Sequence, residues 1–323
     1  IVIKVFSSSP RGESMYTLGV DIGGTKIAAG LIDESGNCFS RVELPSIKTD
    51  REQMFQQVVR SIEEVLNDSQ LSIHELKGIG IGVPGKVDTE KGIAVFQNNL
   101  PWRNFPLTQR IKEFFSVSSV IMDNDVFMAA FAEWKIRGSG QQETFVYFTV
   151  STGISCCTIH NGNFIRGAGF AGEIGFLPVR YDSSTGQYEG LESVVSGPGI
   201  ARMANKRKNH SKGYESAVIV TTKQVLEDYK IQQPYATAVM KDVSEYLSRG
   251  LYAVSCLLDP NKLVLGGGVI NHHPDLLDSV KASLKKYLVP DQMDLLNRMD
   301  VSELKGNAGL VGAGLRAWRN RLS

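Results

Sequence analysis

Residues 18–33 read LGVDIGGTKIAAGLID, two apolar runs separated by a short polar turn. The pair Gly23-Gly24 predicts a β-hairpin, because glycine adopts the turn conformations that close two-residue hairpins. A plain hairpin requires neither Asp21 before the turn nor Thr25 and Lys26 after it. Backbone N–H groups beside glycines are open to a ligand, since no Cβ covers them. The stretch therefore indicates a hairpin with a binding turn, and an ordinary turn with incidental polar residues is the open alternative.

Length and charge limit the classes of protein to consider. A chain of 323 residues suits two domains. Its 35 basic and 34 acidic residues give a net charge of +1, which argues against a nucleic-acid partner or an anionic membrane. No apolar run approaches the roughly 20 residues that span a bilayer. The four cysteines form no CxxC pair, which predicts a reduced, cytoplasmic protein. Residues 1–14 are expected to be a non-native leader.

Hydrophobic periodicity organises the rest of the chain. Residues 50–69 have apolar positions at helical spacing, and residues 144–159 alternate as two strands around the turn Ser151–Ser155. Residues 76–81 predict a strand, and the KVDTEKGIAVF that follows its glycine-proline loop is turn-like. VDIGGT and VSTGIS echo each other, which indicates two related halves. The order hairpin, helix, strand, helix predicts an α/β fold with mixed sheets covered by helices.

Three glycine-rich turns and a set of acids point to phosphoryl transfer. The two hairpin turns and the late strand ending in Gly266–Gly268 can each present backbone N–H groups to phosphates. Transfer also needs an acid that manages magnesium and a base that accepts a hydroxyl proton. Asp21 adjoins the first turn, and Asp123–Asp125 lies where a strand gives way to a helix. Helix capping is the open alternative for Asp125.

Eight segments, taken in order, resemble the ROK (repressor, open reading frame, kinase) family of sugar kinases within the actin-like ATPase and hexokinase superfamily. They are LGVDIGGTKIAAGLID, GIGVPGKVD, NNLPW, DNDVFMAAFAEW, VSTGI, GAGFAGEIG, GLESVVSG and DPNKLVLGGGV. The resemblance runs from Tyr16 to Ala317. It implies two actin-like (ribonuclease H-like) domains with mixed sheets flanked by helices and an ATP/sugar cleft between them. The expected domains are residues 15–121 with 305–323, and residues 122–304.

The resemblance also implies roles for individual residues. Asp125 would be the general base, and Asp21 would hold Mg²⁺ through water. The sugar would be bound by Gly85, Asn99, Asn124, Glu173 and Glu192. ATP would be bound by Gly23, Gly24, Thr25, Lys26, Thr152, Gly153, Gly267 and Gly268.

The chain departs from the family at its zinc motif. Members of the family commonly have a histidine where this chain has Phe176, and a run of cysteines where it has Ser183, Thr185 and Gly190. The resemblance therefore implies no zinc site here. That histidine usually contacts the sugar, so two alternatives stay open for Phe176: it faces the sugar pocket, or it packs in the core.

The resemblance implies an ATP-dependent kinase that phosphorylates a hexose, N-acetylhexosamine or glucoside, at O6 in the leading interpretation. Its expected cofactors are ATP and Mg²⁺, its partner is a small sugar, and the family often forms homodimers. A non-catalytic sugar-binding or regulatory member of the family is the alternative. Retention of Asp125 beside Asn124 favours the kinase, because a sensor needs no base. The sequence does not identify the sugar.

Overall fold

The computed structural model describes residues 16–140, 142–183, 185–211 and 219–319. The proposed leader, residues 1–14, lies outside these ranges. The described residues form two units, one up to Ser139 together with those from Asn307 onward, and the other Gly140–Gly306. None of the helices in these ranges combines the length and hydropathy that a bilayer-spanning segment requires.

The first unit is built around a five-stranded sheet. The strands of the unit are β1 (Thr17–Ile22), β2 (Lys26–Ile32), β3 (Cys38–Pro45), β4 (Ile79–Val83), β5 (Lys86–Asp88), β6 (Ile93–Phe96), β7 (Arg103–Phe105) and β8 (Val120–Asn124). The helices of the unit are α1 (Arg51–Ser69), α2 (Leu107–Phe115), α3 (Asp125–Ile136) and α10 (Ala308–Arg319). The large sheet has the order β3-β2-β1-β4-β8, and β5, β6 and β7 form a small second sheet. Strands β1, β2 and β3 pair antiparallel, whereas β1, β4 and β8 pair parallel.

The second unit repeats this arrangement. Its strands are β9 (Thr144–Val150), β10 (Ile154–His160), β11 (Asn163–Phe164), β12 (Pro178–Asp182), β13 (Gln187–Gly190), β14 (Lys262–Gly266) and β15 (Met299–Val301); its helices are α4 (Leu191–Val195), α5 (Gly197–Ser211), α6 (Thr222–Lys230), α7 (Pro234–Leu258), α8 (Gly268–His272) and α9 (Leu276–Leu284). The large sheet has the order β11-β10-β9-β14-β15, with the same antiparallel and parallel pairs as the first. The predicted α/β class with two related halves is confirmed.

Local sequence explains most of these elements. The β1–β2 hairpin pairs Ile22 with Ile27 across the Gly23-Gly24 turn. Helix α1 begins after Asp50, whose carboxylate accepts hydrogen bonds from the N–H groups of Glu52 and Gln53. Such an N-cap satisfies donors that the first turn leaves without partners. The apolar stripe of α1 then packs into the core of the first unit.

Two local predictions are wrong. Strand β4 begins at Ile79 rather than at Leu76, because Leu76 closes a short 3₁₀ turn, Ile73–Glu75. The segment after Gly85 is not merely turn-like, because β5 and β6 pair antiparallel within it. These strands are short, and their charged residues hide the alternation that marks a strand.

Helix α3 belongs to the first unit because it packs closely on α10. A Cβ on Gly312 would lie 1.8 Å from the backbone oxygen of Met128, so only glycine allows this approach. The unit boundary therefore falls after Ser139, later in the chain than the division at residues 121 and 122 expected from the sequence.

Candidate functional site

Acidic side chains of the first unit gather where three neighbouring strands end. Asp21 of β1 is opposite Gly82 of β4, which in turn is opposite Asp123 of β8. Asp125 follows as the first residue of α3. A Cβ on Gly82 would lie 3.5 Å from Oδ1 of Asp21 and 3.6 Å from the Cα of Asp125. This glycine therefore lies next to both Asp21 and Asp125.

The Asp21 carboxyl has an unusual environment. Burial and the negative charge of Asp125 raise the pKa of Asp21 to about 7, and the positive charges of Lys26 and Arg41 oppose this shift in part. A Cβ on Gly309, in the first turn of α10, would lie 2.7 Å from Oδ2 of Asp21. Two carboxylates that repel each other fit a hydrated Mg²⁺, which binds one or two protein carboxylates together with phosphates. Asp21 would hold such an ion through water, as the resemblance implies.

The Gly23-Gly24 turn lies beside these acids. The Gly23 N–H donates to the backbone oxygen of Lys26 at 2.8 Å, and Ser46 Oγ donates to the oxygen of Gly23 at 2.6 Å. A Cβ on Gly24 would lie 2.7 Å from the Cβ of Asn99, so the turn packs directly on this side chain. The structure thus brings the first phosphate turn and one predicted sugar residue together.

Thr25 and Lys26 are exposed at this turn. The Lys26 ammonium forms an ion pair with Glu43 on β3, which also pairs with Arg41. Lys26 therefore faces the neighbouring strand here, a feature the sequence did not predict. An exposed ion pair contributes little to stability, so it does not prevent Lys26 from turning to a phosphate.

Asn124 organises the start of α3. Its side-chain oxygen accepts from the Val126 N–H at 2.9 Å, which makes Asn124 the N-cap of the helix. Asn124 rather than Asp125 is therefore the N-cap residue, although Asp125 Oδ1 also accepts from the Val126 N–H at 3.0 Å. Asn124 Nδ2 donates to the backbone oxygen of Gly85 at 3.0 Å. Its second amide proton is still available to a ligand.

Gly85 needs to be glycine. Its φ is +78°, and a Cβ there would lie 2.4 Å from the backbone oxygen of Phe96. The main chain at this point is held between Asn124 and the β5–β6 hairpin. The first unit thus gathers the acids, the glycine turn, Asn99, Asn124 and Gly85, all of which were predicted site residues.

In the second unit, the turn between β9 and β10 lies beside two carboxylates, those of Glu173 and Glu192. The Ile154 N–H donates to Glu192 Oε2 at 2.9 Å, and a Cβ on Gly153 would lie 2.8 Å from the same oxygen. Burial and the negative charge of Glu192 raise the pKa of Glu173. The predicted sugar residues Glu173 and Glu192 therefore lie beside each other and beside the turn that carries Thr152.

A cavity of about 690 Å³ opens on the other side of this turn. Its lining includes Gly268, which was predicted to border the adenosine, and Thr152, which was predicted to bind the phosphates. The preceding Gly267 has a φ of +88°, and a Cβ on it would lie 2.4 Å from the backbone oxygen of Val150. The sequence analysis missed most of the lining, which includes Gly197, Pro198, Ala201, Asn205, Ile219, Val220, Thr221, Thr222, Lys223, Leu226, Glu227, Lys230, Val269 and His272. The small-residue run SGPG at 196–199 was the available signal.

The model of the ROK family matches residues 17–319. The chain belongs to the ROK family. A glucokinase of Halalkalibacterium halodurans is 30% identical over 93% of this chain and 94% of its own length. A ROK glucokinase of Streptomyces griseus, solved with glucose and AMPPNP, is 27% identical with a TM-score of 0.79, over 94% of this chain and all of that one. A xylose repressor of Caldicellulosiruptor bescii is 23% identical over 91% of this chain and 76% of its own length.

Phe176 lies at the surface of the second unit. Its side chain is 72% exposed at the end of the 3₁₀ turn Ile174–Phe176, so the core-packing alternative is wrong. Ser183 and Thr185 belong to the connection between β12 and β13, and Gly190 ends β13. Across the described ranges, no group of three or more His, Cys, Asp or Glu side chains is arranged to hold a metal ion. The absence of zinc remains a prediction.

Proposed function

We propose that the chain is an ATP-dependent sugar kinase that transfers the γ-phosphoryl group of ATP to O6 of a hexose, an N-acetylhexosamine or a glucoside. The similarity to two glucokinases along nearly the whole chain supports this proposal. The observation that carries it is the acid pair of the first unit. Asp125 lies close enough to raise the pKa of Asp21, and a Cβ on Gly82 would touch both residues.

In this proposal Asp125 is the general base. It accepts the proton of the attacking hydroxyl while the hydroxyl oxygen bonds to the γ-phosphorus and the bond from that phosphorus to the bridging oxygen breaks, so that ADP leaves. Asn124 holds this base in position, because its side chain caps α3 and binds Gly85 at the same time. Asp21 contacts the water shell of Mg²⁺. When bound, Mg²⁺ neutralises charge on the phosphate oxygens.

The glycine turns bind the nucleotide in this proposal. N–H groups of Gly24 and Thr25 bind phosphate, with Lys26 as a cation beside them. The Gly23 N–H closes the turn on the backbone oxygen of Lys26. The second unit contributes Thr152 and Gly153, and Gly267 with Gly268 borders the adenosine in the cavity of about 690 Å³. A cavity of this size suits a nucleoside, because ligand pockets commonly measure 300–1,000 Å³.

Hydroxyl recognition is assigned to Asn99, Glu173 and Glu192 together with Asn124 and the backbone of Gly85. Ionised carboxylates accept hydrogen bonds from sugar hydroxyls, and charge-assisted bonds of this kind are the stronger ones. Glu192 also binds the Ile154 N–H, so sugar and phosphate recognition meet at one side chain in the second unit.

A regulatory, non-catalytic sugar-binding role is the second candidate. It is favoured by the xylose repressor, which resembles the chain along most of its length. Measuring ADP release over a panel of glucose, N-acetylmannosamine and methyl β-glucoside separates the two. The kinase predicts sugar-dependent ADP release that Asp125→Asn slows by about 10²–10⁴-fold. Sugar binding without ADP release in the wild-type protein would establish the regulatory role instead.

A further inference from the structure

Exposed aromatic side chains cluster in one short stretch of the second unit. Phe170, Phe176, Tyr181 and Tyr188 are 76%, 72%, 57% and 70% exposed; together they are called the aromatic rim here. In the described ranges only Phe96 and Phe114 are also exposed aromatics, and both lie in the first unit. Large apolar side chains that gather at the surface mark an interaction site, whereas isolated ones need no explanation.

The two phenylalanines of the aromatic rim flank a proposed sugar residue. The Glu173 N–H donates to the backbone oxygen of Phe170 at 3.3 Å. The Phe176 N–H donates to the backbone oxygen of Glu173, also at 3.3 Å. Two successive tight turns therefore place an exposed phenylalanine three residues before and three residues after Glu173, whose pKa is raised by burial and by Glu192.

The two tyrosines extend the aromatic rim along a hairpin. Tyr181 of β12 is directly opposite Tyr188 of β13, with ring centroids 5.2 Å apart. The neighbouring pair, Arg180 and Glu189, forms an ion pair, and the Arg180 guanidinium lies over the ring of Tyr246 on α7. Side chains alternate between the faces of a strand, so the tyrosines occupy the face away from α7.

The hairpin begins next to Phe176. A Cβ on Gly190, the last residue of β13, would lie 3.6 Å from the Cα of Phe176. Tyr188 is two residues away from Gly190, which is about 7 Å along an extended strand. The tyrosine hairpin therefore ends beside Phe176, and Glu192 follows Gly190 by two residues at the start of α4.

This combination is chemically suited to carbohydrate. Carboxylates accept hydrogen bonds from hydroxyls, while aromatic faces pack against the C–H face of a pyranose ring. Tyrosine and phenylalanine offer large, flat contact areas and lose little conformational entropy on binding. We propose that the aromatic rim is a subsite for a second sugar ring, so that the preferred substrate is a disaccharide or another ring-bearing glycoside. This inference rests on the proposed sugar kinase function.

The test compares kcat/KM for cellobiose and maltose with kcat/KM for glucose. The disaccharide considered is the one of the two with the higher kcat/KM in the wild-type protein. In the double variant Phe170→Ala/Phe176→Ala, we expect the ratio of its kcat/KM to that of glucose to fall about tenfold, which corresponds to about 1.4 kcal/mol. Phe176→Tyr keeps a ring and should preserve the ratio. Phe114→Ala, an exposed phenylalanine of the other unit, is the matched control and should also leave it unchanged.

Two results would overturn the subsite. One is an unchanged disaccharide-to-glucose ratio in the double variant. The other is a wild-type protein that sediments as a dimer while the double variant sediments as a monomer. That outcome would assign the aromatic rim to an interface between copies of the chain. If the wild-type protein phosphorylates no sugar, the kinase proposal fails separately. Calorimetric titration with cellobiose then decides the subsite: binding that the double variant loses supports it, and no binding contradicts it.

Discussion

Replacing Asp21 by asparagine should stabilise the free protein while impairing its proposed activity. The pKa of Asp21 is raised from 3.8 to about 7, first by burial and second by the charge of Asp125. A raised pKa in the folded state means that folding disfavours the carboxylate. Stability is therefore lost as the pH rises from about 4 to about 7, and the penalty is complete above pH 7. Asparagine is neutral and avoids this penalty.

The size of the stability change follows from the pKa shift of Asp21. About three pH units at 1.36 kcal/mol each give a penalty of about 4 kcal/mol. The first turn of α10 lies against the Asp21 carboxylate, and the positive end of a helix stabilises an anion by about 0.3–1 kcal/mol, sometimes up to about 2. Asp21→Asn should therefore raise the free energy of unfolding at pH 8 by about 2–4 kcal/mol. The melting temperature should rise on the order of 10 °C.

The assay is thermal unfolding from pH 4 to pH 8 in buffer containing EDTA and no nucleotide. The difference between Asp21→Asn and wild type should be close to zero near pH 4 and largest at pH 8. Asp68→Asn removes the same charge from an exposed position of α1 and should change stability by less than about 0.5 kcal/mol. Equal melting temperatures of Asp21→Asn and wild type at pH 8 would refute the reasoning.

Three further predictions concern catalysis, metal and backbone. Asp125→Asn should lower kcat by about 10²–10⁴-fold with folding intact, as loss of a general base does; a near wild-type kcat would remove Asp125 from that role. EDTA should abolish activity and Mg²⁺ restore it, whereas stoichiometric zinc found by elemental analysis would contradict the zinc-free expectation. Gly267→Ala should lower the melting temperature and raise KM for ATP more than Gly162→Ala, because φ is positive at both but a Cβ meets a nearby oxygen only at Gly267; equal effects would contradict the steric argument.

Much of the fold could be predicted because local rules decide it. The Gly23-Gly24 hairpin, the α1 stripe and the start of α3 after Asp123–Asn124 all follow from turn chemistry, periodicity and capping. The β5–β6 hairpin was missed because its strands are short and partly charged. The ion pair of Lys26 with Glu43 was missed because it depends on how β2 aligns with β3.

The candidate site was predicted less evenly. Candidate site residues could be proposed on glycine turns and at strand ends, because few structural roles place an acidic side chain next to glycines. The lining of the cavity comes from segments far apart in the chain, whose small and aliphatic residues carry no local signal. The sequence also left the location of Phe176 open, since exposure depends on what the rest of the unit places over it.

The most direct test of the central claim is the fate of the γ-phosphoryl group of ATP. Purified protein is incubated with ATP, Mg²⁺ and each of glucose, 6-deoxyglucose and methyl β-glucoside, and products are followed by ³¹P NMR. The account predicts a sugar phosphate ester at O6 with glucose, none with 6-deoxyglucose, and formation slowed by about 10²–10⁴-fold in Asp125→Asn. A wild-type protein that binds these sugars and leaves ATP intact would contradict it.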